Sequence, residues 1–449
     1  MKRITSLLAA AALLAVFALS TGCNTAETPG STAGGDNDAG IPTEFVGEGA
    51  NGDENLRIRA YKPTSDTVTH LTADAGSVDL DNEKLQALYG CKVVKDVVAS
   101  NMVITELNKR VLAGNPPDLV TEAFPPSLMT RNLVLPLDDY INFEDPIWDG
   151  VKQMLDVTLW EGKHYMAPLM MNRQTGVWYN TDLFEEYDVT TPLELYQAGN
   201  WNWDTFLETA KAMTVDKDHD GTPDIYGVAT EEHAMFLFST GKDLVTIEDG
   251  KAVNNLRSED VARAVTFYND LYSVHNVASP TGVARERFLA NEVAMYPGAL
   301  WERDPMQEMM KEGKLMIVPC PKDPTKDTYY VSDTLGGFYI PRGAKNIPGA
   351  AAYICLSRQN QLDDATMERQ FNELHETIGY TREIEDMFRN EIMNPEKISS
   401  TYTFWSTFDL GTYWGDIWSR PHVNGEPWSK IVEELYPLVD EKIKMAYQK

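Results

Sequence analysis

The sequence predicts an α/β protein built as two lobes, each a sheet with helices packed on it. Three observations point there. Short β-rich runs alternate with amphipathic helical stretches from Leu56 onward. The opening of that region reads as a βαβαβ unit. The chain, at 449 residues, is longer than one hydrophobic core usually serves.

Leu56 to Ala60 reads as the first strand. Asn82 to Tyr89 reads as a helix ended by Gly90, and Lys92 to Ala99 as the second strand. Ile104, Leu107 and Val111 recur at helical spacing until Gly114, and Asp118 to Thr121 is the third strand. Asn115, Pro116 and Pro117 end that helix and turn the chain into the strand. Gly162 and Lys163 form a hairpin turn, and Asn202 can cap a helix starting at Trp203. Ser258 caps a further helix whose Val261, Val265, Tyr268 and Tyr272 share one face. The last helix, Trp428 to about Tyr447, is expected to be kinked at Pro437.

Ahead of the first strand, Lys2 and Arg3 precede an apolar stretch from Leu7 to Leu19, which reads as an export signal over 1–22. The apolar run is too short to span a membrane permanently. Thr21 and Gly22 before Cys23 resemble the bacterial lipobox, whose cysteine is acylated, although Ser20 stands where leucine is commoner. Residues 23–54 are dominated by Gly, Ser, Thr, Asn, Asp, Glu and Pro, a composition that cannot bury enough surface to fold. They are expected to be a disordered tether that lets the lobes float roughly 30 Å from the membrane.

Loss of 1–22 leaves 427 residues with 37 basic and 68 acidic side chains, a net charge of −31. Such a surface repels phosphate backbones and anionic lipid, which argues against nucleic-acid binding and against membrane contact beyond the anchor. Cys91, Cys320 and Cys355 have neither CxxC nor Cys/His spacing, so no disulfide framework or zinc centre is indicated. Ten Trp and twenty Tyr can fill cores or line a ligand cleft, and composition does not choose between these.

Seven motifs occur in a fixed order. They are GNPPDLV at Gly114 to Val120, LVLPLDDY at Leu133 to Tyr140, EGKHYMAPL at Glu161 to Leu169 and WYNTDLFEEYDV at Trp178 to Val189. WNWDTF at Trp201 to Phe206, FLANEVAMYPGALW at Phe288 to Trp301 and GGFYIPRGAKNIPGAAAYI at Gly336 to Ile354 follow. In this order, behind a lipoprotein-type signal, the chain resembles the large sugar-binding family (family 1) of extracellular solute-binding proteins that serve ABC importers. The resemblance covers about Leu56 to Lys449. It implies a two-lobed periplasmic-binding-protein-like fold with crossover strands near Pro168 to Tyr179 and Gly337 to Pro341, a hinge, and a ligand cleft between the lobes. The lobes are then 55–168 plus about 342–390, and 169–341 plus about 391–449.

The same resemblance nominates ligand-binding residues. Trp301 closes MYPGALW, the family segment whose terminal Trp stacks on a sugar ring, and an indole face suits the C–H face of a pyranose. Trp414, with Trp405 and Trp418 nearby, stands where relatives place another stacking aromatic. Glu122 and Phe124 follow the PPDLV strand, without the tryptophan usual there. Tyr61 and Lys62 would follow the first strand at the cleft edge, and Glu232, His233 and Met235 follow the strand ending YGVAT. A core tryptophan or ordinary surface is the competing reading of each.

Asp216, Asp218, Asp220, Gly221 and Asp224 spell DxDxDGxxD. Carboxylates at loop positions 1, 3, 5 and 9, Gly at 6 and the Thr222 carbonyl at 7 match the oxygen cage of an EF-hand-like calcium loop. Position 12, a bidentate Glu in a full EF-hand, is Gly227 here, so a Ca2+ ion would need other oxygens and would be structural. The alternative is a solvated acidic turn.

The expected function is that of a lipid-anchored extracellular binding protein, not an enzyme. It would act as a monomer that captures an oligosaccharide and delivers it to the permease subunits of an ABC importer. Two alternatives stand beside it: the same fold binding a non-sugar solute, and a membrane-anchored glycan-degrading enzyme with an acidic, Trp-rich cleft. Against the enzyme, the sequence has no HExxH or GxSxG, although a glycosidase carboxylate pair leaves no such signature.

Overall fold

The computed structural model describes residues 61–448 except 74–79, 169–172, 174, 231, 249–250, 281, 300–302, 304 and 405–406. The signal, Cys23, the tether, the expected strand at Leu56 to Ala60, Trp301 and Trp405 therefore lie outside the described residues. In chain order the strands are β1 (Thr67–Thr72), β2 (Lys92–Val97), β3 (Leu119–Ala123), β4 (Ala167–Pro168), β5 (Thr175–Asn180), β6 (Tyr226–Val228) and β7 (Val245–Glu248). They continue as β8 (Lys251–Asn254), β9 (Val293–Ala299), β10 (Leu315–Val318), β11 (Tyr329–Thr334), β12 (Gly336–Tyr339) and β13 (Ile398–Thr403).

The first sheet has the order β2-β1-β3-β12-β4. β1 runs parallel to β2 and β3, with Thr67 opposite Lys92 and His70 opposite Leu119. Parallel neighbours need crossover connections, and the helices Leu80–Tyr89 and Val103–Leu112 supply them. Gly90 and Gly114, both at positive φ, follow these helices as the sequence predicts. β12 returns antiparallel to β3 and pairs with β4 across Gly337 and Pro168. A Cβ on Gly337 would meet the Ala167 carbonyl oxygen at 2.4 Å, so only glycine permits that approach.

The second sheet has the order β10-β5-β9-β6. Every residue of β5 and β9 is buried, as expected for central strands covered on both faces. β5 is antiparallel to β9 and β10, whereas β6 is parallel to β9. β11 pairs with β13 as a two-stranded parallel ribbon, and β7 and β8 form a hairpin.

Consecutive strands in different sheets mark the passages between lobes. The chain leaves the first sheet after Pro168 and enters the second at Thr175. It returns at Leu335, between β11 and β12, slightly ahead of the expected Gly337 to Pro341. The helix Ile347–Asn360 is buried almost throughout and packs on the helix Leu80–Tyr89 and on β1. Further along, Asp364–Ile378 lies against the helix Gln307–Lys311, and Arg382–Met387 lies against β10. Gly379, at φ +76°, ends the first of them over Lys311.

Other local readings have direct counterparts. Ser258 accepts a hydrogen bond from Val261 N at 3.3 Å at the start of the helix Glu259–Ser273, whose Val261, Val265 and Tyr268 are buried. Asn202 caps the helix Trp203–Ala212 in a reciprocal capping box with Thr205. The last helix, Trp428–Ala446, runs through Pro437. Cys91, Cys320 and Cys355 are free and buried, and among the described residues no helix is long and apolar enough to cross a membrane.

Candidate functional site

β6 and β9 are parallel neighbours, so the residues that follow them leave the same edge of the second sheet. The final residue of β9, Ala299, sits opposite Thr175, the first residue after the passage from the other lobe. Topology thus brings the β9 terminus, two residues before Trp301, to the junction between the sheets. The side chain of Trp301 is among those not described.

On the first sheet, β3 ends with Glu122 and Ala123, and Phe124 follows it. Glu122 is half-buried, and burial raises its pKa above the ordinary carboxylate value although one of its oxygens accepts Ala123 N at 2.9 Å. Phe124 is buried, and its carbonyl accepts the Thr407 hydroxyl at 2.9 Å. Tyr339 Oη donates to the Ala123 carbonyl at 2.7 Å, fixing the strand end.

The segment from β13 to the helix Gly411–Asn424 joins this strand end to the second sheet. Besides the Thr407 contact, Thr401 Oγ1 donates to the Phe238 carbonyl at 2.7 Å. Phe404 N donates to the fully buried Asp243 carboxylate at 2.7 Å. Burial raises Asp243 to about 7 in spite of the two backbone N–H groups, of Phe404 and Leu244, that bond it. Trp414, half-buried in the first turn of the helix, stacks on Phe238 with centroids 6.1 Å apart and planes 24° apart. Trp414 and the Glu122–Phe124 strand end are therefore held by one short run of chain.

His233 is placed differently from expectation. Its Nδ1 is 3.0 Å from Tyr268 Oη, in the packing between the helices Glu259–Ser273 and Gly411–Asn424. Burial, with His422 close by, pulls it down to about 4, which keeps the imidazole neutral and suited to that interior role. Met235 is fully buried, and Glu232 N bonds Thr230 Oγ1 at 2.8 Å in the turn after β6. Tyr61 and Lys62 stand ahead of β1, and the strand expected before them lies outside the described residues. Tyr61 is buried, with its hydroxyl 3.3 Å from both the Tyr140 carbonyl and Cys355 Sγ on the helix Ile347–Asn360, while Lys62 is exposed.

Two residues the sequence reading passed over stand at the lobe passages. Arg173 Nε and Asp333 Oδ2 are 3.7 Å apart, and both side chains are fully buried. Arg173 also donates to the Ile392 carbonyl at 2.9 Å and to Ser400 Oγ at 2.9 Å, and Ser400 donates to Asp333 at 2.7 Å. One ion pair thus ties the first passage, the end of β11 and β13 together. The only sequence signal is an arginine inside an apolar stretch.

In the acidic loop, one oxygen each of Asp216, Asp218 and Asp224 can lie within 4.8 Å of the others. Asp216 accepts Gly221 N at 2.9 Å, a bond that lowers its pKa, and Asp224 accepts Lys217 N at 2.6 Å. His219 at φ +61° and Gly221 at φ +92° make the turn. Asp220 stands outside this trio and accepts Thr222 N at 2.7 Å, capping the turn. The departure at position 12 has a physical cause. A Cβ on Gly227 would come within 2.0 Å of the Ala210 carbonyl oxygen, so no glutamate can occupy that position.

Comparison with known proteins adds the following. The family model described as bacterial extracellular solute-binding protein matches residues 73–354. A cyclo/maltodextrin-binding protein complexed with maltotetraose is similar in structure, with a TM-score of 0.62 and 17% identity over 86% of this chain and 99% of that one. An ABC substrate-binding protein from Listeria monocytogenes in complex with cycloalternan gives 0.59 and 13%, over 85% and 99%. The sugar-binding protein MalE from Xanthomonas citri gives 0.58 and 15%, over 84% and 98%.

Proposed function

The chain belongs to the bacterial extracellular solute-binding protein family, and from that premise we propose that it captures an oligosaccharide between its two lobes and presents it to an ABC importer. The observation that carries the choice of a sugar is one run of chain that holds both an aromatic residue and a strand end bearing a carboxylate. Trp414, stacked on Phe238, and Glu122, at the end of β3, are held by the same run from Thr401 to Trp414. An aromatic face packs on the apolar side of a pyranose, and a carboxylate accepts its hydroxyls. Trp301 and Phe124 complete the proposed wall. The sugars bound in two of the similar structures, cycloalternan and maltotetraose, and the description of the third as sugar-binding support this reading.

The family consists of binding proteins, and we extend that to this chain: it holds the glycan without cleaving it. Acylation of Cys23 would keep it, as a monomer, on the outer face of the membrane. The Asp216, Asp218 and Asp224 carboxylates suit a hard divalent cation such as Ca2+, with the Thr222 carbonyl as a further donor. The ion would brace the loop ahead of β6, with no part in gripping ligand.

The test is intrinsic tryptophan fluorescence titrated with a panel of oligosaccharides, followed by chromatography of each glycan. A saturable change with one glycan class, recovered uncut, supports the proposal. No response to any glycan favours a non-sugar solute, and shortened glycan favours the enzyme.

A further inference from the structure

A cavity of about 430 Å³ lies between the C-terminal part of the helix Ile347–Asn360 and the helices Asp364–Ile378 and Arg382–Met387. Its volume falls in the roughly 300–1,000 Å³ range of small-ligand pockets. Phe371, Leu374 and Phe388 give it an apolar floor. The ionisable groups that line it are Arg303, Arg358, Arg389 and Glu385. Arg389 donates through Nε to Glu385 at 2.8 Å, and among the described lining residues three guanidiniums stand against that one carboxylate.

The guanidiniums of Arg358 and Arg303 are poorly hydrated. Arg358 is 4% exposed, with Nε donating to the Ile147 carbonyl at 2.7 Å, and burial lowers its pKa to about 10. Arg303 lies 5.7 Å over the Tyr380 ring, and its Nε is buried with no hydrogen-bond partner among the described residues. A buried donor left unmade costs free energy that an anionic acceptor would restore.

We propose that this cavity is a second ligand site that takes a small amphiphilic carboxylate, an aryl or medium-chain acid, with its apolar body on Phe371 and Leu374 and its carboxylate toward Arg303 and Arg358. The inference does not rest on the oligosaccharide reading, which can fail without affecting it.

Isothermal titration of the full chain with octanoate tests this, with 1-octanol as the uncharged analogue. Two variants accompany it: Arg303→Gln, which removes a charge, and Leu362→Trp, which fills the cavity from a partly exposed position on its rim. The expected result is saturable one-site binding of octanoate, weakened at least about tenfold by each variant, with 1-octanol weaker than octanoate by a similar factor. Circular dichroism identical to that of the unmodified chain establishes that each variant is folded. Absence of saturable octanoate binding, equal affinity for 1-octanol, or octanoate affinity unchanged in either folded variant would overturn the proposal.

Discussion

Replacing Asp333 by leucine would leave the Arg173 guanidinium in the interior facing an apolar side chain. The two groups are 3.7 Å apart and fully buried. At that separation and an effective dielectric near 20, their attraction is about 4 kcal/mol. Removing one member of a buried pair typically costs about 3–5 kcal/mol, because the remaining charge stays desolvated. The Ile392 carbonyl and Ser400 hydroxyl would still receive Arg173, but neither carries charge. We therefore expect Asp333→Leu to lower the unfolding free energy by about 3–5 kcal/mol in guanidinium titrations. The loss should persist at about 1 M salt, since a buried pair is poorly screened. Arg173→Met combined with Asp333→Leu should recover most of it, because the apolar pair leaves no buried charge. A single variant within about 1 kcal/mol of the unmodified protein, or a double variant no better than the single, would refute the reasoning that this pair holds the passages together.

Trp301→Ala is expected to weaken oligosaccharide binding at least about tenfold with far-ultraviolet circular dichroism unchanged; unchanged affinity would mean the cleft lies elsewhere. Gly227→Ala forces a methyl group against the Ala210 carbonyl at 2.0 Å and should cost about 1–3 kcal/mol on overpacking grounds, read as a lower melting temperature. Asp243 has its pKa raised from 3.8 to about 7 by burial, so the folded state binds its proton more tightly than the unfolded chain does. Its contribution to stability is full below pH 3.8 and is lost as pH rises through about 7. Asp243→Asn should flatten that part of the stability–pH curve, and an unaltered curve would exclude the assignment. Calcium should raise the melting temperature of the chain, and Asp216→Asn with Asp218→Asn should abolish the rise; an equal rise in the variant would place the ion elsewhere.

Elements whose signals are local were legible. Ser258 and its apolar face gave a helix start because capping and 3.6-residue periodicity act within one turn. Gly90 and Gly114 marked helix ends because their positive φ suits glycine. β1 was missed since four of the six residues of TVTHLT are polar. Thr69 Oγ1 donates to Asp118 and His70 Nε2 lies 2.7 Å from Thr121 Oγ1, partners that are distant in sequence and meet only after folding. The Arg173–Asp333 pair joins residues 160 positions apart and has no local trace. His233 reads as an available polar group after a strand, yet Tyr268 and His422, on two helices later in the chain, close over it. The acidic loop was legible in spacing, but the need for glycine at 227 comes from a helix packed on the same strand.

The most direct measurement is hydrogen–deuterium exchange of the chain with and without the oligosaccharide that fluorescence identifies. Slower exchange at 119–124, 232–240, 293–299 and 407–418, with the glycan uncut, is the expected result, since these segments carry residues of the proposed cleft or lead into them. Protection confined to other segments, or none at saturation, would contradict capture between the lobes.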